Sequence, residues 1–454
     1  MPTLGPRVVI SGTHSGVGKT TVAVGLMAAL TSRGRRVVSA KVGPDFIDPG
    51  YHSLATGYPG RSLDAWLSGE DNIASLAAAG AEGTDLLIIE GMMGLFDGSA
   101  QPGCDGSTAA VARLLEAPVV LVVDASAMSG SVAAVVHGYR DLDRRVDVAG
   151  VILNRVGGQG HATLLREALE PLGIAVLGVL YNEDALAWRE RHLGLVPVAE
   201  HPDSVRAAVS RLGAAIEGSC DLAAIEAIAR AAPARTVPPA PQARLVASVR
   251  LALAAGPAFS FTYPENLVLL NQAGAEVVPF DPLEDPQLPG GCDALYVGGG
   301  FPEVFAPALA ENLPLLESVR QAVAGGLVTW AECGGLLWLC RCLDGTPMVG
   351  AIPAEARMTE SLTIGYRSAV TRVVSPFGAP GLALQGHEFH RTVAEPAGDA
   401  LALTGRFGEG RAGFASPTLF ASYLHQHIAT SPAIAERFVA AAGGPRLRAG
   451  QPTI

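Results

Sequence analysis

The stretch from Arg7 to Val24 reads RVVISGTHSGVGKTTVAV. Its β-branched run at 8–10 predicts a buried strand, and the next polar residues carry Gly12, Gly16 and Gly18. Beyond them Val22, Leu26, Met27, Ala29 and Leu30 recur at helical spacing until Gly34. Further apolar runs at 36–41, 85–91, 117–124, 148–154 and 174–180 are continuous rather than alternating. Such runs fit strands covered on both faces, and helical stretches separate them. The pattern predicts an α/β domain built on a doubly wound parallel sheet.

A proline- and alanine-rich stretch, 231–244, interrupts this pattern and reads as a linker. It divides the chain into a first domain, 1–230, and a second, 245–454. The second resumes α/β alternation, with strands expected at 276–280, 294–297, 327–330 and 419–421. A length of 454 residues and a hydrophobic content of 49% are ample for two cores. The formal charge of −11 gives no support for a nucleic-acid or anionic-membrane partner. No apolar run approaches the roughly 20 residues of a membrane-spanning helix, and no charged-then-apolar signal opens the chain. The six cysteines lack paired spacing, so neither a disulfide framework nor a zinc site is expected and a reducing cytoplasm fits best. Cys340 and Cys342 read as packing residues of a helix.

Strand, glycine loop and helix in this order form the context of a phosphate-binding loop. Glycines let backbone N–H groups turn onto phosphate oxygens, and the helix N-terminus adds its positive dipole end. The residues assigned to nucleotide binding are Gly12, Ser15, Gly16, Gly18, Lys19, Thr20 and Thr21. Lys19 would neutralise phosphates and Thr20 would offer its hydroxyl to Mg²⁺. The loop departs from the strict G-x-x-x-x-G-K-[ST] spacing, because Thr13 holds the first glycine position. His14, five residues before Lys19, stands where a switch ATPase carries a second lysine. Pro44 and Pro49 bracket a segment expected to place Lys41, Asp45 and Asp48 on a loop at a strand's carboxyl end, where α/β sheets bind ligands. Glu90 closes another apolar strand and is a candidate Mg²⁺ ligand, with Asp97 beside it. At a further edge Asn154 could read adenine and Arg155 could meet a carboxylate or phosphate, or both could simply close the turn.

In the second domain the strand at 327–330 runs into Ala331-Glu332-Cys333-Gly334-Gly335, followed by a helix-like run. Cys333 therefore sits on a strand-to-helix turn, the arrangement of a nucleophile elbow. The facing helix N-terminus is expected to favour its thiolate. The backbone N–H of Gly334, with donors from the Gly298-Gly299-Gly300 turn, would form an oxyanion hole. Bases for the cysteine are sought in GHEFH, with His387 and His390, and in SYLHQH, with His425 and His427. In a strand His425 and His427 share a face, so spacing does not separate them.

Taken together, SGTHSGVGKTT, KVGPDFIDP, EGMMGLFDG, GVILNRV, GGGFPE, WAECGGL, MTESLTIGYR, GHEFH and ASYLHQH resemble the cobyrinic acid / hydrogenobyrinic acid a,c-diamide synthase family of cobalamin biosynthesis. The resemblance covers nearly the whole chain. It implies a dethiobiotin synthetase-like domain joined to a class I glutamine amidotransferase-like domain. It also implies glutamine and a corrinoid as substrates, ATP and Mg²⁺ as cofactors, and a possible homodimer. Cys333 would hydrolyse glutamine with His425 as base, and ATP would activate the a- and c-acetate carboxylates for attack by ammonia. Asp45, Glu90 and Asp97 would position Mg²⁺ or the substrate carboxylate, Lys41 and Arg155 would contact substrate, and Gly299 and Gly334 would supply the oxyanion hole. Cobyric acid synthase and a nickel-tetrapyrrole relative share the domain order. A switch ATPase with a degenerate amidotransferase-like module is the alternative from another class. Two residues after His425, where amidotransferases carry an acid, this sequence has His427, so a Cys–His dyad is expected.

Overall fold

The computed structural model describes residues 1–98, 104–182, 202–406 and 408–444, with short pieces at 190–191, 194–195 and 198. It forms two compact units, Met1–Ala240 and Pro241–Ile454. The division falls inside the proline- and alanine-rich stretch. Part of that stretch belongs to the first unit, where Arg235–Thr236 pairs antiparallel with Thr3–Leu4.

In the first unit, β1 (Arg7–Gly12), β2 (Val37–Val42), β3 (Arg61–Leu63), β4 (Leu86–Glu90), β5 (Val119–Asp124), β6 (Val148–Val156) and β7 (Ala175–Tyr181) form one parallel sheet. Their order is β3-β2-β4-β1-β5-β6-β7. Strand order reverses around β1, so its carboxyl end opens between those of β4 and β5, the place where such sheets bind ligands. Every residue of β1, β2 and β4 is buried, as their uninterrupted apolar runs require.

Helix α1 (Lys19–Ser32) buries residues around most of its circumference, because it lies between the sheet and helix α7 (Pro202–Ser219). Gly25 and Gly213 allow that approach. A Cβ at Gly25 would run into Ile216, and one at Gly213 would stand 3.0 Å from the Ala28 Cβ. The segment expected to be a loop differs from its reading. Lys41 is still within β2, and Asp48 opens helix α2 (Asp48–Thr56). Pro49 sits in the first turn of α2, where its missing N–H has no intrahelical partner to lose.

The second unit is built on β8 (Val249–Ala254), β9 (Ala275–Phe280), β10 (Ala294–Val297), β11 (Val328–Glu332), β16 (Phe414–Ser416) and β17 (Leu419–Ser422). They run in the order β9-β8-β10-β11-β17-β16, all parallel except β16. Helix α9 (Pro264–Ala273) follows β8, and helix α12 (Gly334–Leu339) follows β11. A second sheet contains the long antiparallel pair β12 (Glu355–Thr371) and β13 (Ala383–Glu395), which the sequence pattern did not announce. Cys340 and Cys342 are not helix residues. Cys340 caps α12 in extended backbone, and Cys342 starts a two-residue strand.

Trp330 anchors one face of the main sheet. It stacks on Tyr296 at 4.5 Å between ring centres and meets Phe377 edge-on at 5.0 Å. It has no solvent exposure. Trp330→Ala is expected to destabilise this unit by about 3–5 kcal/mol, the usual cost of truncating a buried tryptophan. Chemical denaturation followed by far-ultraviolet circular dichroism checks it.

Candidate active sites

At the carboxyl edge of the first sheet, the phosphate loop turns through Gly16 and Gly18, with φ of 80° and 95°. These left-handed positions suit glycine. The lysine and threonine then enter the first turn of α1. Lys19 Nζ donates back to the His14 carbonyl at 3.1 Å, across the loop. Burial pushes the Lys19 ammonium down to about 8, nearby Lys41 adds to this, and Glu90, Asp48 and Asp97 oppose it. Gly12 closes β1 and accepts from the Leu95 N–H at 2.9 Å. Ser15 and Gly16 are exposed at the loop's tip.

Glu90 has no solvent exposure and joins four elements. Its Oε1 accepts from Thr20 Oγ1 at 2.6 Å and from Lys41 Nζ at 2.8 Å. Its Oε2 lies 2.6 Å from His52 Nε2. Lys41 also pairs with Asp48 Oδ2 at 2.7 Å. Burial alone would raise the Glu90 carboxyl, but the Lys41 charge and the His52 hydrogen bond outweigh it and hold Glu90 ionised. Burial likewise opposes the Lys41 charge, and Asp48 and Glu90 overcome it.

Several expected contacts take another form. Lys41 does not face an open substrate site, since its ammonium is consumed by Asp48, Glu90 and the Gly91 carbonyl. Asp45 Oδ1 accepts the Ile47 and Asp48 N–H groups at 2.8 and 3.0 Å, so that oxygen shapes the turn into α2 rather than facing a metal. Asp97 is exposed near the loop, with Oδ2 on the Gly94 N–H at 2.8 Å. Asn154 ties its amide to the phosphate loop and to its own turn. Nδ2 donates to the Val17 carbonyl at 2.8 Å and Oδ1 accepts the Arg155 N–H at 2.9 Å. Arg155, at a left-handed φ of 57°, donates to Asp124 at 2.5 Å and to the Gly16 carbonyl at 2.8 Å. Asn154 and Arg155 therefore brace the phosphate loop from β6.

In the second unit Cys333 has φ 46° and ψ −100° between β11 and α12. Its N–H donates to the Ser422 carbonyl at 2.8 Å, which fixes the turn against the adjacent strand β17. Burial, then Glu303, pushes the Cys333 thiol well above its ordinary range. The Gly334 N–H at the start of α12 acts in the opposite direction and favours the thiolate. The Gly298–Gly300 turn lies against the His425 ring and against Gly334, the residue after Cys333. A Cβ at Gly299 would run into the His425 ring, and one at Gly334 would stand 2.9 Å from the Gly300 nitrogen. Gly299 is not an oxyanion donor here, because its N–H donates to the Phe261 carbonyl at 2.9 Å. Gly300, not Gly299, is the residue of this turn that lies against Gly334.

The structure also separates the two histidines that spacing left equivalent. His425 forms a two-bond bridge with His387, at 2.9 and 3.0 Å, and sets its ring on the glycine turn. His427 packs on Tyr263 and lies 3.6 Å from Glu265. Burial pushes His425 down to about 3, with His387 and His390 adding to the effect, so it is a neutral imidazole at physiological pH.

Three positions escaped sequence reading. His52 is one helical turn after Asp48, a spacing that puts both on one face of α2; treating Pro49 as a break hid it. Asn266 in α9 and Glu332 before the cysteine both bond the backbone of the SYLHQH segment. Burial pushes Glu332 up to about 8, against the Gln426 N–H and Tyr296 hydroxyl that favour its charged form. Between about pH 4.5 and 8 the folded state retains a proton on Glu332 that the unfolded chain has released. Stability of this unit therefore falls as pH rises through that window, and Glu332→Gln should flatten the slope. Melting temperatures of both proteins across pH 5–8 check this.

Comparison with known proteins follows the same division. Residues 8–196 match the CobQ/CobB/MinD/ParA nucleotide binding domain, and 250–433 match the CobB/CobQ-like glutamine amidotransferase domain. Hydrogenobyrinate a,c-diamide synthase of Streptomyces coelicolor is 49% identical, over 96% of this chain and 97% of the relative. The protein of that name from Thermobifida fusca is 49% identical, over 97% and 98%. Cobyrinate a,c-diamide synthase of a Synechococcus strain is 40% identical, over 96% and 98%. With both units matched in order and nearly full length, the chain belongs to the cobyrinate/hydrogenobyrinate a,c-diamide synthase family.

Proposed function

We propose that the protein amidates the a- and c-acetate carboxylates of hydrogenobyrinate, using ATP and ammonia from glutamine. What carries this reading is that one chain holds a phosphate loop tied to a buried acid and a cysteine on a strand-to-helix turn, in the order of its 49% identical relatives. The preference for the metal-free corrinoid rests on names. Five relatives named for hydrogenobyrinate are 45–49% identical, and three named for cobyrinate are 39–40%.

In the second unit Cys333 Sγ attacks the glutamine side-chain carbonyl. His425 takes the thiol proton and delivers it to the departing ammonia. The N–H groups of Gly300 and Gly334 receive the charge that develops on the carbonyl oxygen. Water then hydrolyses the thioester. In the first unit the γ-phosphoryl group of ATP passes to a substrate carboxylate, and ammonia displaces phosphate from the acyl phosphate. Lys19 and the loop N–H groups hold the phosphates, while Asn154 and Arg155 keep that loop in place.

The residues present fit Mg²⁺. Thr20 donates its proton to Glu90, which leaves oxygen lone pairs for a cation on the nucleotide. Among the described residues no cluster of three or more His, Cys, Asp or Glu is arranged to hold a metal. Phosphate oxygens and water would complete the shell, as is usual for this ion. When bound it would neutralise the phosphates during transfer.

The test offers cobyrinate and hydrogenobyrinate in parallel to purified protein with MgATP and glutamine, read by mass spectrometry. Two amidations of hydrogenobyrinate, faster than of cobyrinate, are expected. No amidation of either would refute the reading. Cys333→Ala should lower glutamine-dependent amidation by on the order of 10³-fold or more, while amidation with ammonium chloride persists. Unchanged glutamine use by that variant would remove Cys333 from its role.

A further inference from the structure

The histidine-bearing segment after β17 is held through its backbone. The His425 N–H and carbonyl pair with His387. The Gln426 N–H donates to Glu332 Oε1 at 3.1 Å, and the Gln426 carbonyl accepts from Asn266 Nδ2 at 2.6 Å. The Ile428 N–H donates to Asn266 Oδ1 at 3.0 Å. Asn266 and Glu332 are 0% and 1% exposed. Water does not compete with these bonds, and breaking one strands a buried polar group.

Glu332 differs from the other holders in its place along the chain. It immediately precedes Cys333, and it bonds the residue immediately after His425. One side chain thus links the backbone of the nucleophile's turn to that of the base. Its other oxygen accepts from the Tyr296 hydroxyl at 3.0 Å, which fixes the direction in which it reaches.

We propose that Glu332 is a positioning residue for glutamine hydrolysis, which sets His425 against Cys333 by gripping the Gln426 N–H. The inference rests on the Cys333–His425 reading above. Its function is reach and acceptor geometry rather than charge. A neutral carboxyl or amide of the same length performs it, because a carbonyl oxygen suffices to accept one N–H. Burial that favours the protonated acid agrees with this.

Two substitutions separate reach from charge in the full-length protein. Glu332→Gln keeps the length and a carbonyl acceptor but loses the charge. Glu332→Asp keeps the charge but withdraws the carboxylate by one methylene. A displacement of about 1 Å in a catalytic pair can cost on the order of 10²-fold in rate. Glutamine hydrolysis by Glu332→Asp should accordingly fall in kcat by about 10²-fold, with KM for glutamine little changed. Glu332→Gln should retain kcat within about 5-fold, a cost below that of losing one oxyanion donor. Both variants should keep a cooperative thermal transition and full ammonia-dependent amidation.

Any other ranking overturns the proposal. Equal activity of the two variants removes Glu332 from positioning, and an active aspartate with an inactive glutamine assigns it a charge role. Loss of the cooperative transition in Glu332→Asp makes it a fold element only. Cys333→Ala is assayed alongside. If that variant still hydrolyses glutamine, it is the Cys333 reading that fails, and the Glu332 result then bears on another reaction.

Discussion

A carboxylate with no access to water must find its compensation inside the protein, and Glu90 imposes this constraint on the first unit. The Lys41 ammonium, the Thr20 hydroxyl and His52 supply it from β2, α1 and α2. The result ties the phosphate loop to the strand beside it and ties α2 to both. Breaking such a buried network by removing one member leaves an uncompensated charge, which costs more than the pair contributes. Lys41 is thereby committed to the scaffold. The groups left to meet a nucleotide are the loop N–H groups, Lys19 and the lone pairs of Thr20.

The second unit handles charge in the opposite way. Cys333 and His425 are both desolvated, and burial favours the neutral thiol and the neutral imidazole. Geometry is held instead by backbone bonds: Cys333 to Ser422, His425 to His387, Gln426 to Glu332 and Asn266. In the proposed reaction an ion pair arises only as sulfur attacks, when the N–H groups around the carbonyl oxygen can repay it.

How far the sequence could be read follows from the range of the forces involved. Six strands of the first sheet were legible because burial on both faces demands uninterrupted apolar runs, whereas β3, three residues long, left no such run; the strand–glycine–helix order located Lys19, Thr20 and Cys333. Residue identity alone did not disclose partnerships between distant segments. Asn154 and Arg155 looked like ligand contacts at a sheet edge, yet their hydrogen bonds cross more than a hundred residues to Val17 and Gly16. Lys41 looked available because Glu90 becomes its neighbour only when β2 and β4 pair, and Asp48 only when α2 packs beside β2. His425 and His427 were equivalent by period, and only the neighbouring glycine turn and α9 distinguish them. The β12–β13 pair was missed because much of it is exposed, so no apolar alternation marks it.

The two candidate sites use the same device, a turn from a parallel strand into a helix, for different kinds of charge. Helix α1 has fourteen residues and begins under a glycine loop, with the buried Lys19 reaching back across it to the His14 carbonyl. Its aligned peptide dipoles suit an anion that is present throughout binding, such as a nucleotide phosphate. Helix α12 has six residues, all of them buried, and burial pushes the thiol of the cysteine at its start upward. So short a helix carries little dipole, and in the proposed reaction the Gly334 and Gly300 N–H groups would meet the charge developing on the carbonyl oxygen. That arrangement favours the charge of a tetrahedral intermediate over any charge in the resting protein, which is the differential stabilisation a glutaminase requires.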